Sequence, residues 1–286
     1  MNISVLIKRH SVLVYYFLVF FLSWGSLLLV MGVGGIWGTT TISEDIMPLL
    51  YVGMLLGPTV AGLVMMGLTR GRSGFRELFS RLRHFRVSIK WYLIAVLTAP
   101  TIVAGVLLLL SRFSPQYIPI IFSSNDKLSI VISGLMAGAL VGIFEELGWT
   151  GFVIPRLRER YSVLNTGLIV GVVWGLWHMP LFLASARASQ EIAPLITLAV
   201  MLFTFLPAYR VLMVWVYDRT KSLFVAMVMH FGQTATVLIF ATPAGDVPIA
   251  VSNTVYSAFL WVIIAIVFII NHRFLNKKRL SIHKLK

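Results

Sequence analysis

The chain has no cysteine, which excludes disulfides, thiolate metal sites and a cysteine nucleophile. Charge is scarce as well: Asp, Glu, Lys and Arg make up 12% of the 286 residues, against about 25% in a soluble domain. With 58% hydrophobic residues, that composition predicts a chain embedded in a membrane. Acidic side chains are the rarest charged class, 10 against 24 basic, for a formal net charge of +14. Such an excess suits either nucleic acid or membrane topology, and the placement of the charges decides between them.

A spanning helix needs about 20 mostly apolar residues, and eight stretches qualify: 11–36, 48–69, 91–111, 128–154, 164–184, 192–216, 222–242 and 255–271. Lys8, Arg9 and His10 precede the first, which is longer than a signal-peptide core and reads as a retained span. The basic residues fall in alternate connections: the N-terminus, 70–90, 155–163, 217–221 and the tail from Arg273. Of the 24, only Arg112, Lys127, Arg187 and Arg210 lie elsewhere. The positive-inside rule then puts both termini in the cytoplasm of a multi-pass cell-membrane protein. Topology accounts for the charge, and no nucleic-acid partner is expected. The predicted fold class is all-α, a polytopic bundle of about eight transmembrane helices. It forms a single domain over 1–286 whose chemistry concentrates in about 128–242.

Within connection 70–90, Phe75, Leu78, Phe79, Leu82 and Phe85 recur at helical spacing among arginines, which predicts an interfacial helix anchored on anionic headgroups. Segment 111–126 and the Gly245–Pro248 stretch read as outer loops.

The polar residues inside the spans are few. Glu145 and Glu146 interrupt the fourth, where a buried charge costs about 2.5–3.5 kcal/mol on insertion scales. His178 lies in the fifth, Arg210 in the sixth and His230 in the seventh. Concentration in four consecutive spans points to one shared site. Two chemistries fit. Glu145, His178 and His230 could hold a catalytic metal, for which zinc is the candidate, leaving a position open for water. Without a metal, Glu145 and His178 could activate water directly while His230 stabilises the oxyanion with Thr234, one helical turn on. The plainer readings are a structural, protonated carboxyl for either glutamate and interhelical hydrogen bonding for either histidine. Arg210 is expected to snorkel to the cytoplasmic interface. Trp149, Trp174 and Trp177 read as packing and pocket walls, and Gly142, Gly148, Gly151, Gly171 and Gly175 as close-packing positions.

At 1.5 Å per residue, Glu145 and His230 come out roughly 15 and 12 Å from the cytoplasmic ends of their spans, and His178 about 21 Å. That mismatch predicts an extramembrane start to the fifth helix, a tilt, or distortion at Pro180.

Three motifs carry a resemblance. Glu145-Glu146-Leu147-Gly148-Trp149-Thr150-Gly151-Phe152 with Pro155-Arg156-Leu157, Trp174-x-x-x-His178 with Met179-Pro180-Leu181-Phe182, and His230-x-x-x-Thr234 after Ser222-Leu223 resemble the ordered motifs of the CPBP family. These are the CAAX protease and bacteriocin-processing intramembrane metalloproteases. The resemblance implies intramembrane hydrolysis of peptide bonds in membrane-associated peptides or proteins, with CAAX-type or leader-peptide processing. Glu145 would be the catalytic glutamate, Glu146 its support, His178 the water activator or metal ligand, and His230 a ligand or oxyanion donor. A non-catalytic scaffold or bacteriocin-immunity protein on the same fold is the alternative. Two positions depart from the family pattern: Thr150 stands where arginine is usual and Thr234 where asparagine is usual. Arg156 and Arg210 are the candidates to supply the missing guanidinium.

Overall fold

A computed structural model describes residues 3–36, 43–188, 192–242 and 246–275. Among these residues every regular element is helical. The helices are α1 (Ile3–Arg9), α2 (Ser11–Ile36), α3 (Met47–Leu82), α4 (Ile89–Ser111), α5 (Ile120–Ser123), α6 (Lys127–Gly148), α7 (Ile154–Arg158), α8 (Val163–Ala188), α9 (Ile192–Val200), α10 (Leu206–Thr220), α11 (Leu223–Ile239) and α12 (Asp246–Leu275). Single π-helical turns, Trp149–Val153 and Met201–Phe205, join α6 to α7 and α9 to α10.

Among the described residues seven helical stretches are long and apolar enough to cross a membrane, and the protein is a multi-pass membrane protein. The expected seventh span is shorter than drawn: α11 has 17 residues, about 26 Å at 1.5 Å each. It is an inner helix, with α6 on one side and α4 on another, and its buried face includes His230, Gln233 and Thr236. The outward surface of the bundle is apolar, as a lipid-facing surface must be; Leu29 is 89% exposed and Ile269 75%. The polar side chains of the middle spans lie inside instead.

Two glycine stripes bring helices together around that interior. Gly134, Gly138 and Gly142 on α6 face α11, and a Cβ on Gly142 would stand 2.7 Å from the Met227 carbonyl oxygen. On α8, Gly167, Gly171 and Gly175 face α10 and the π turn before it; a Cβ on Gly171 would stand 2.5 Å from Pro207 Cα. Spacing of four puts each stripe on one helical face, so two backbones approach closely where larger residues would hold them apart.

Prolines inside the helices leave carbonyls without their usual partners, since proline has no N–H to offer the residue four before it. Two such carbonyls are satisfied from other helices. Pro58 frees Met54 O, which accepts a 2.9 Å hydrogen bond from Ser23 Oγ of α2. Pro155 frees Gly151 O, which accepts from Arg81 Nη2 at 2.9 Å. Both π turns end two residues before a proline, Pro155 and Pro207. Widening the helix there accommodates the lost bond and turns the residues after Glu146 by an extra step.

The basic connection 70–90 is helical as far as Leu82, but it continues α3 after a break at Gly71 (φ 55°, ψ −139°), a backbone that favours glycine. Its residues 75, 78, 79 and 82 share the helix, whereas Phe85 lies beyond its end. One of its arginines is committed to protein rather than headgroups: Arg81 also bonds Tyr217 Oη at 3.0 Å. Segment 111–126 contains a short 3₁₀ turn (Pro115–Tyr117) and α5. The loop expected near Gly245–Pro248 is shorter, because Asp246–Pro248 already belong to α12; Gly245 lies outside the described residues.

Candidate active site

Glu145 and Glu146 end α6, one turn before the π turn, and both are buried. Their surroundings differ. Glu146 is the centre of a polar cluster: Oε1 accepts from Arg210 Nη1 at 2.7 Å and from His230 Nδ1 at 2.8 Å, while Oε2 accepts from the Thr150 hydroxyl. A carboxylate with three donors, one of them a guanidinium, is held fixed. Arg210 is fully buried, its guanidinium carbon 4.1 Å from the centre of the Trp174 ring, with Nε and Nη2 left without a hydrogen-bond partner.

Among the described residues the Glu145 side chain has a single hydrogen bond, from Trp174 Nε1 to Oε2 at 2.6 Å. Trp174 is the common neighbour of the site. Its backbone carbonyl lies 2.8 Å from His178 Nδ1, its ring 5.2 Å from the His178 ring and 5.3 Å from the His230 ring. A carbonyl only accepts, so His178 donates through Nδ1–H and keeps its lone pair on Nε2. His178 is half-buried, bracketed edge-on by Trp177 at 4.6 Å and stacked on Phe182 at 5.5 Å. The approximately 6 Å depth gap expected between Glu145 and His178 is about one helical turn. Trp174, four residues before His178, spans it. Helix α8 begins at Val163 and runs unbroken through Pro180.

Thus Glu145, Glu146, His178 and His230 all converge on Trp174 or on each other. Thr234 stands one turn beyond His230, half-buried, its hydroxyl 3.4 Å from Gln233 Oε1 and with no hydrogen bond to the Glu146 cluster. One residue was assigned the wrong place from sequence. Arg210 does not snorkel; α10 packs so closely on α8 at Gly171 that its guanidinium is directed inward. Trp174, expected as a pocket wall, is also a donor: among the described residues its indole N–H is the one hydrogen-bond donor to the Glu145 side chain. A tryptophan one turn before an intramembrane histidine was the available signal. Of the two candidates for the missing charge, Arg210 reaches the site. Arg156 instead bonds the Phe152 carbonyl at 2.7 Å and Thr69 Oγ1 at 3.1 Å. Thr150 occupies the motif's arginine position and contributes a hydroxyl to Glu146.

A catalytic metal requires about three converging protein ligands. His178 and His230 each keep Nε2 free of hydrogen bonds to Trp174 O and Glu146, as ligands would. Among the described residues, however, no three His, Asp or Glu side chains are grouped closely enough to hold a metal ion. As arranged, the trio does not fit one.

Comparison with known proteins is consistent with this set of motifs. Residues 127–236, which span both glutamates, both histidines and Arg210, match the family model described as type II CAAX prenyl endopeptidase Rce1-like. A curated relative, CAAX prenyl protease 2 of Methanococcus maripaludis, is 24% identical over 181 residues, covering 62% of this chain and 67% of its own.

Proposed function

From the premise that the core of this chain belongs to the Rce1-like CAAX endopeptidase family and that the chain is a membrane protease, we propose that Glu145 and His178 activate the attacking water. The observation that carries the proposal is the division of labour between adjacent glutamates. Glu146 is saturated by Arg210, His230 and Thr150, whereas Glu145 is oriented by one indole and retains basic capacity.

In this reading water enters between Glu145 and the Nε2 lone pair of His178. Glu145 takes a proton as the oxygen attacks the scissile carbonyl carbon, and the proton passes to the leaving amine as the tetrahedral intermediate collapses. His230, held against Glu146 and beside the Trp174 ring, stabilises the oxyanion. No step passes through a metal. The substrate is a membrane-associated peptide or protein, and the relative's printed name favours a CAAX prenyl C-terminus over a leader peptide. Both termini and the basic ends of the helices face the cytoplasm.

Cleavage of a prenylated CAAX peptide in proteoliposomes tests the proposal. Glu145→Ala and His178→Ala should each reduce turnover by at least a hundredfold, in the range acid–base catalysis contributes. Unchanged turnover in both ends the proposal and leaves the non-catalytic scaffold reading. Loss of wild-type turnover with a chelator, restored by zinc, would overturn its metal-free part.

A further inference from the structure

A cavity of about 510 Å³ lies at the basic end of the bundle, remote in sequence from the catalytic motifs' histidines. It is walled by the junction of α1 and α2, by the break after Thr69 in α3, and by α7 with the turn that follows. Its lining contains five cations, Lys8, Arg9, Arg70, Arg156 and Arg160, against the single carboxylate of Glu159. That carboxylate is 3.6 Å from Arg70. Lys8, Arg9 and Arg160 form no ion pair among the described residues.

A solvated basic face, the ordinary product of positive-inside topology, would splay its charges into water. One feature differs from that. Arg156 is fixed in place, bonded to Phe152 O and Thr69 Oγ1 and stacked 3.5 Å from the centre of the Phe152 ring. At roughly 30 Å³ per water, the cavity has room for a phosphodiester together with its glycerol.

We propose that this cavity binds a phosphate-bearing anion, the chemistry shared by an anionic phospholipid headgroup and free phosphate. Arg156 supplies fixed donors; Lys8, Arg9 and Arg160 supply the charge that selects an anion. The site is independent of the water-activating chemistry, and its test does not read proteolysis.

Native mass spectrometry of the purified full chain, with phosphatidylglycerol or phosphatidylcholine added, measures the preference. Wild type should retain phosphatidylglycerol at least tenfold better. Arg9→Gln/Arg160→Gln should lower that preference about twentyfive-fold, near fivefold for each charge removed. Arg112→Gln/Lys127→Gln, outside the cavity, should leave it unchanged. A second arm adds millimolar inorganic phosphate. If phosphate binds and displaces the lipid, free phosphate is the source; if it does neither while lipid is retained, the lipid headgroup is. Absence of preference, or preference that survives Arg9→Gln/Arg160→Gln, overturns the proposal.

Discussion

Glu146→Gln and Glu145→Gln should separate stability from activity in neighbouring residues. Glu146→Gln removes the carboxylate bonded to Arg210, a residue with no exposure whose Nε and Nη2 lack partners among the described residues. Breaking a buried ion pair from one side costs about 3–5 kcal/mol, because the remaining charge is stranded. The amide retains one carbonyl oxygen for the donors at His230 and Arg210, so the lower half of that range, about 3 kcal/mol, is expected. Glu145→Gln keeps an oxygen for Trp174 Nε1 and strands no charge, so it should change stability by less than about 1 kcal/mol. Unfolding of the purified protein in mixed micelles by increasing SDS, followed by circular dichroism, measures both. Turnover should be lost in both variants. Arg210→Met added to Glu146→Gln should recover at least half of the lost stability, since neither charge is then buried alone. Equal destabilisation by the two single substitutions, or no recovery in the double variant, would refute the assignment of Glu146 as the structural centre and Glu145 as the base.

Trp174→Phe keeps an aromatic wall but deletes the donor to Glu145; kcat should fall by roughly ten- to a hundredfold with KM little changed, part of the 10²–10⁴ of acid–base catalysis. An unaltered kcat in proteoliposomes would remove Trp174 as a positioning residue. Thr150→Val deletes one bond to the Glu146 carboxylate and should cost about 1.5–3 kcal/mol in the same SDS titration. Gly171→Val places its Cβ against Pro207 Cα and Arg210 Cβ, and overpacking of about 1–3 kcal/mol or more should separate α8 from α10. An interhelical distance measured between spin labels on the two helices should increase; an unchanged distance with unchanged stability would contradict the close approach.

Much of the architecture was legible in the chain because lipid imposes strong rules on composition. Hydropathy located the long helices, and the site emerged because ionisable residues are scarce in apolar runs. What eluded the sequence depended on neighbours. Arg210 lies ten residues before the end of α10, within reach of an interface if its helix faced lipid. The close contact at Gly171, between residues far apart in sequence, directed it inward. The π turn at Trp149–Val153 also has no hydrophobic-period signature, although Pro155 marked the carbonyl that needed another partner.

The sequence by itself determined that this is a membrane chain with two glutamates, two histidines and an arginine among its middle spans, because each such charge is costly in lipid. It could not determine which glutamate faces which partner. Successive residues on an α-helix are turned by about 100°, so Glu145 and Glu146 look toward different helices. Only the packing of α6 against its neighbours decided that Glu145 meets the Trp174 indole of α8, while Glu146 meets Arg210 of α10 and His230 of α11.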